Sequence, residues 1–283
     1  AYVEPVVDKN GYHFTVKIGE PQDADASKNG TKLSRGANFR CVMSGAPISP
    51  EHIYSEANSG RMGSRLMAIV AEGARTRVYL GPTELHETLP LTAKPEWKPD
   101  VAMPENPRWF SPPLYGLKTY GDIFTARQLV ALTTFSDLVG EVTDRVHRDA
   151  SAAGLPDDRK PLNVNDSGAT SYAEAIATYL GLAMSRFADR NNALCTWDSG
   201  PTGTKSSTGG SARTASLRNL FARQAVPMAW DYGEANPFSD SGGGYNSALE
   251  WIVPAIRFLI GTAAGVAVAD NASTQVISRG KVV

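Results

Sequence analysis

The chain has 283 residues, of which 42% are hydrophobic and 20% are charged, and its formal net charge at neutral pH is -1. This length and hydrophobic content allow one or two folded domains and exclude an intrinsically disordered chain. The near-zero net charge excludes a general attraction to polyanions, so any contact with nucleic acid has to be local.

Cysteine content and hydropathy indicate a soluble protein of the cytoplasm. Two cysteines, Cys41 and Cys195, are too few for a disulfide scaffold, which agrees with a reducing compartment. The first residues lack the basic region and following apolar run that are typical of a signal peptide. The most apolar stretch, residues 249–268, contains two charged residues and a proline, which suits a core helix and a following strand. We expect no membrane partner.

The N-terminal residues 1–55 have the pattern of a small β module. Residues 2–7 and 12–18 are rich in β-forming side chains, and the Asn-Gly pair between them is a strong hairpin signal. After a polar, turn-rich stretch, residues 37–43 predict a third short strand.

Residues 56–120 are predicted to form a proline-rich connector with few regular elements. Residues 63–72 predict a short helix, and residues 75–80 predict a strand. Eight prolines between residues 82 and 113 exclude long helices or strands in that stretch.

The remaining residues, 121–283, are predicted to form a mainly helical body that ends in a strand over residues 266–269. Apolar residues at i, i+3 and i+4 spacing predict a long helix from Thr125 to Gly154. Further helices are predicted over residues 171–191, 212–224 and 246–259, the last bent at Pro254. A loop rich in glycine, serine and threonine is predicted over residues 198–212. The predicted fold class is therefore mixed α/β (α+β).

One short segment, residues 221–240, concentrates polar and aromatic side chains, including an Asn-Pro-Phe tripeptide at Asn236, Pro237 and Phe238. Together with residues 59–73 and 110–139, it resembles the large adenine-specific DNA methylases that contain a zinc ribbon. The resemblance extends over most of the chain. It implies the central region of an S-adenosylmethionine-dependent enzyme, whose cofactor motif lies upstream and whose catalytic Asp-Pro-Pro-Tyr motif lies downstream of this chain.

The Asn-Pro-Phe tripeptide is similar to a shortened form of the Asp/Asn-Pro-Pro-Tyr/Phe motif of amino-methyltransferases. In that motif the amide and a proline carbonyl accept hydrogen bonds from the target amine, and the aromatic ring stacks on the flipped base. Because one proline is missing here, we assign no catalytic residue. The candidates for a cleft that holds DNA or the target base are Arg223, Trp230, Asp231, Asn236, Pro237 and Phe238. A turn in which Phe238 packs into the core remains the alternative.

Four basic residues are candidates for contacts with phosphates: Arg61, Arg65, Lys205 and Arg213. The first two lie beside glycines that allow close approach of the backbone. Lys205 lies within the glycine-rich loop, and Arg213 directly follows it. Solvated surface charges are the alternative interpretation. The loop itself does not match a P-loop, because Thr204 rather than glycine precedes Lys205.

A zinc site is not expected. Where the resembled family has Cys-x-x-Cys, this chain has Cys41 followed by Ser44, whose hydroxyl is a poor zinc ligand. His13 and His52 lack ligand spacing. The resemblance implies that residues 1–55 correspond to a degenerate half of a zinc ribbon. S-adenosylmethionine is expected to bind the intact enzyme and not this segment alone.

Two functions follow from these features. The first is a DNA-holding or target-recognition segment of a DNA adenine N6-methyltransferase, inactive alone, with DNA and the flanking methyltransferase segments as partners. The second is a non-enzymatic nucleic-acid-binding or assembly module of a restriction or phage-defence system.

Overall fold

A computed structural model of the chain describes residues 1–9, 11–74, 77–157, 159–164, 167–198, 216–222 and 224–262. Helices and small antiparallel sheets of two strands occur there, with a strand pair preceding a mainly helical body, which confirms the α+β class. The first of two compact units comprises Ala1–Lys94 and Pro99–Asp122, and the second comprises Pro95–Lys98 and the described residues from Ile123 onward. Within these ranges, none of the helices combines the length and the hydropathy needed to cross a bilayer.

The first unit begins with the predicted hairpin. Strand β1 (Tyr2–Asp8) pairs antiparallel with β2 (Gly11–Lys17), with Tyr2 opposite Lys17. A short helix, α1 (Ala24–Asn29), follows and begins at Asp23, whose carboxylate accepts a hydrogen bond from a first-turn amide.

The third predicted strand is shorter than expected. Only β3 (Phe39–Arg40) is extended, and it pairs with β4 (Pro47–Ile48). The chain turns between these strands because the Gly45 amide donates to the Cys41 carbonyl and Gly45 adopts a positive φ of 72°.

The helix predicted over residues 63–72 is wrong. Its second half is strand β5 (Ile69–Glu72), which pairs with β6 (Arg77–Leu80) in a hairpin. The β-branched residues at its start suit a strand, and the pairing partner overrides the weak helical pattern. The helix of this region lies earlier, as α2 (Pro50–Asn58), which Ser49 caps and which has proline at its first position.

The proline-rich stretch contains short elements only, as predicted. Helix α3 (Glu84–Thr88) has a capping box formed by Thr83 and His86. Turns of 3-10 helix follow at Leu89–Thr92 and Pro112–Tyr115. Prolines interrupt helix hydrogen bonding at short intervals, which explains why no element there is longer.

Three helices dominate the second unit: α4 (Ala126–Ala152), α5 (Ala169–Arg190) and α6 (Tyr245–Thr262). They confirm the helices predicted from Thr125, over residues 171–191 and over residues 246–259. Their shared core contains Ala183, Phe187 and Ala248, with further apolar side chains packed around them: Leu132, Phe135, Met184, Tyr245, Leu249 and Ile252.

The helix predicted over residues 212–224 is wrong in its described part. Strand β7 (Trp197–Asp198) pairs instead with β8 (Ser216–Leu217), and the Phe221 amide donates to the Asp189 carboxylate at 2.7 Å. Backbone groups of residues 216–217 and 221 thus form hydrogen bonds with β7 and with α5, in place of the hydrogen bonds within a helix. Residues 212–215, the predicted strand over residues 266–269 and most of the glycine-rich loop lie outside the described residues.

Candidate nucleic-acid interface

The Asn-Pro-Phe tripeptide forms a tight turn in the second unit. The Asn236 side-chain oxygen accepts a hydrogen bond from the Phe238 amide at 3.0 Å, and the Asn236 carbonyl accepts from the Ser239 hydroxyl at 2.8 Å. The Pro237 carbonyl accepts from the Tyr245 amide at 2.9 Å, which joins the turn to the first residue of α6. An asparagine that bonds the backbone two residues on stabilises such a turn locally.

The turn holds the Phe238 ring in solvent at the edge of an aromatic cluster. The residue is 81% exposed, and its ring centroid lies 5.7 Å from that of Phe135. Phe135 stacks on Tyr245 at 4.6 Å and meets the buried Phe187 at 5.3 Å. The alternative in which Phe238 fills the core is therefore wrong, since most of this side chain is exposed.

The residues just before the turn lie beside β7. Trp230 is half-buried and Asp231 is exposed, whereas Gly233 approaches β7 so closely that its amide donates to the Cys195 carbonyl at 2.7 Å. A Cβ atom at Gly233 would lie 2.5 Å from a methyl carbon of Leu217. The predicted cleft residues Trp230, Asp231, Asn236, Pro237 and Phe238 thus lie on one irregular segment, whereas Arg223 is outside the described residues.

Glu234 anchors this segment to the start of α4. Its carboxylate accepts hydrogen bonds from the Arg127 guanidinium and from the buried Gln128 amide, the latter at 3.0 Å. Burial acts most strongly on Arg127 and lowers its pKa, but the hydrogen bonds and charges of Glu234 and Tyr232 together outweigh it, so the pKa is raised. Arg127 therefore stays charged, and Glu234 serves as its counter-ion.

A second group of side chains, which the sequence analysis missed, lies on α5 and α6. The Arg186 guanidinium carbon lies 4.1 Å from the ring centroid of Trp251, which is 64% exposed. Arg190, one turn further along α5, has a buried terminal guanidinium nitrogen with no hydrogen-bond partner. The sequence could have indicated this group only through the i, i+4 spacing of the two arginines in α5. Trp251, the aromatic partner of Arg186, is far away in the chain.

The phosphate candidates Arg61 and Arg65 lie in the first unit, and both have carboxylate partners. Arg61 donates two hydrogen bonds of 2.7 Å to Glu56, and Arg65 donates one of 2.9 Å to Glu87. Arg65 also lies over the Tyr12 ring, 5.2 Å from its centroid. These pairs reduce the charge available to a phosphate. Lys205 and Arg213 lie outside the described residues.

Cys41 lies among hydrogen-bond donors of the neighbouring turn. The Ser44 hydroxyl and the Ser44 and Met43 amides donate hydrogen bonds to its sulfur, and these lower the pKa of the thiol. Across the described ranges, no group of three or more His, Cys, Asp or Glu side chains is arranged to hold a metal ion.

Neither a protein-family model nor a curated protein nor a solved structure matches this chain significantly. The resemblance to the adenine-specific DNA methylases, which depends on the motifs of residues 59–73, 110–139 and 221–240, therefore stays a prediction.

Proposed function

We propose that this chain is the DNA-holding or target-recognition segment of an S-adenosylmethionine-dependent, adenine-specific DNA methyltransferase of the zinc-ribbon type. One observation carries the proposal. The Phe238 ring is 81% exposed at the tip of a turn that Asn236 fixes, in the tripeptide whose sequence resembles the base-binding motif of amino-methyltransferases.

Base stacking is the chemistry that suits this ring. An aromatic side chain in solvent offers its face to any base, and each stacked base contributes about 1–3 kcal/mol. Contact with Phe135 supports the ring from one side, and hydrogen bonds hold its backbone on the other. The ring therefore needs little reorganisation to receive an unpaired or flipped base.

The local hydrogen bonding of Asn236 favours holding rather than catalysis. Its side-chain oxygen already accepts from the Phe238 amide, so only one lone pair of that oxygen remains for an adenine amine. Methyl transfer would depend on the flanking segments. A cytoplasmic location is part of the proposal, because DNA and those segments are its partners.

S-adenosylmethionine is not expected to bind this segment alone. Residues 258–265 contain two glycines, and the described ones among these residues belong to α6, whereas the geometry that approaches a bound nucleotide is a tight strand-to-helix turn. We derive no step through the cofactor and expect the isolated chain to hold DNA without methylating it.

Binding measurements on the 283-residue chain test the proposal. We expect salt-sensitive retention of duplex DNA and no saturable binding of tritiated S-adenosylmethionine in equilibrium dialysis, with or without DNA. Phe238→Ala is expected to weaken binding of a duplex with an unpaired adenine about tenfold, because one stacking contact is lost. Tyr172→Ala, which removes an aromatic that is 51% exposed on α5, is the control and should change binding little.

Three results would count against the proposal. Saturable binding of S-adenosylmethionine would indicate a cofactor site within this chain and a compact methylase. Equal DNA binding by Phe238→Ala and the wild type would remove the stacking role. A coding sequence that does not continue into Asp-Pro-Pro-Tyr would favour the non-enzymatic nucleic-acid-binding or assembly module.

A further inference from the structure

Two arginines of α5 and a tryptophan of α6 form a group to which the sequence analysis assigned no function. Arg186 stacks on Trp251, and Arg190 lies one turn further along the same helix. From this arrangement we infer that Arg186 and Arg190, oriented by Trp251, form a phosphate-binding site that takes a backbone phosphodiester of nucleic acid. The nucleic-acid part of this inference rests on the proposed function, whereas the phosphate chemistry does not.

Stacking on Trp251 prepares Arg186 for binding. A guanidinium that lies over an aromatic ring uses its flat face for that contact and keeps the N–H groups at its edge available. Those N–H groups form a planar fork that matches two oxygens of a phosphate. Because the ring fixes the side chain in advance, less conformational entropy is lost when the anion binds.

Arg190 places a second guanidinium one turn along α5 from Arg186. One of its terminal nitrogens is buried without a hydrogen-bond partner, and a buried donor left unpaired is costly. Within the described ranges, neither arginine forms an ion pair with a carboxylate. An anion that reached the accessible edges of both side chains would bridge the two charges.

Asp189, which lies between the two arginines in the sequence, has other hydrogen-bond partners. Asp189 accepts hydrogen bonds from the Asn219 side chain at 2.8 Å and from the Phe221 amide at 2.7 Å. Burial first, and then the charge of Arg190, lower the pKa of Arg186, while Asp189 offsets only part of this effect. Arg186 and Arg190 thus place two positive charges one turn apart on α5 in a chain whose net charge is -1.

The position of the group favours nucleic acid as the source of the phosphate. Asn191, which follows Arg190, donates to the Gly243 carbonyl at 2.8 Å and so ties the end of α5 to the loop that follows Phe238. An exposed aromatic ring and a pair of arginines on neighbouring elements are the two components of a surface that binds bases and backbone together.

Two probes and four variants of the full chain test the inference. Broadening of the phosphorus NMR signal of inorganic phosphate reports the site alone, and fluorescence anisotropy of a labelled DNA duplex reports the backbone contact. The variants are Arg186→Gln, Arg190→Gln, Arg186→Lys and the control Arg145→Gln, which removes the same charge from a side chain that is 78% exposed on α4. Circular dichroism checks that each variant is folded.

We expect Arg186→Gln and Arg190→Gln to lose phosphate broadening and to bind the duplex about tenfold more weakly, with a salt slope of log Kd that is lower by about 1. Arg145→Gln should change binding less than about twofold, because an exposed pair contributes little. Arg186→Lys keeps the charge but loses the planar fork, so its affinity should fall between those of the wild type and Arg186→Gln.

The outcomes separate this inference from the proposed function. If the wild type binds the duplex and every arginine variant binds it equally with the same salt slope, the phosphate site is wrong while DNA holding stands. If phosphate broadening depends on Arg186 and Arg190 but the wild type binds no duplex, the phosphate site stands and the nucleic-acid source is wrong. Broadening that Arg145→Gln removes equally would overturn the site.

Discussion

At the scale of single residues, the two cysteines occupy opposite environments. Cys195 is 1% exposed, and its thiol donates to the Asp189 carbonyl at 3.4 Å. Burial raises the pKa of this thiol to about 11. Cys41 is only partly buried, and the donors around it, chiefly the Ser44 hydroxyl, lower the pKa of its thiol. Since the thiolate is the reactive form, the two side chains should differ strongly in reactivity.

We expect a thiol-specific disulfide reagent to label Cys41 rapidly near neutral pH and to label Cys195 only after unfolding, as followed by absorbance. Ser44→Ala removes a hydrogen bond to the thiolate, so the pKa of Cys41 should rise and the pH midpoint of labelling should move upward. Ser34→Ala, which alters a serine that donates to a nearby carbonyl, is the control. Equal labelling rates for the two cysteines in the folded chain would contradict this prediction.

At the scale of elements, the contact between α2 and the 3-10 turn at Pro112–Tyr115 depends on Gly116. This glycine has a φ of 78°, and a Cβ atom there would lie 2.6 Å from the Ala57 carbonyl oxygen. Gly60, just after α2, has a similar φ of 72° but nothing within reach of an added Cβ. Adding a Cβ atom would therefore strain the backbone at both glycines, but it would cause steric overlap only at Gly116.

Gly116→Ala should lower the free energy of unfolding by about 2–4 kcal/mol, because it combines a strained backbone with an overlap against main-chain atoms. Gly60→Ala carries the strain alone and should lower it by about 1–2 kcal/mol. Urea denaturation of the full chain measures both values. If the two substitutions have the same effect, the close approach of Gly116 to α2 is wrong.

At the scale of the whole molecule, contacts between residues far apart in the chain organise the second unit. Glu234 joins its irregular segment to Arg127, 107 residues earlier, and Asn191 joins α5 to Gly243, 52 residues later. These contacts position the Phe238 turn, because they fix the chain both before and after it.

Glu234→Gln should therefore lower the free energy of unfolding by about 1–3 kcal/mol, since the partly buried Arg127 loses its counter-ion. The control is Asp149→Asn, which breaks the Arg145 to Asp149 pair, whose side chains are 78% and 74% exposed. That substitution should change the free energy of unfolding by less than about 0.5 kcal/mol. Urea titrations compare the two variants, and an equal effect would show that Glu234 is no anchor.

The sequence predicted the elements whose causes are local. The Asn-Gly pair specified the hairpin of β1 and β2. Thr125 specified the start of α4, where the structure adds Gln128 as the second member of a capping box. The apolar repeats of α5 and α6 gave their lengths within a few residues, because one face of each helix packs in the core. A turn at Asn236 was one of the alternatives that the sequence allowed, but with Phe238 packed in the core, whereas this residue is 81% exposed.

Other features were decided only by tertiary structure. Residues 69–72 and 216–217 became strands because pairing partners satisfied their backbone groups, and a short sequence pattern does not contain those partners. The stacking of Arg186 on Trp251 joins residues 65 positions apart, so neither residue alone indicated the group. The sequence alone determines local hydrogen bonding and periodicity, because these depend on residues that are near one another in the chain. Pairing between distant segments depends on which surfaces meet when the chain packs.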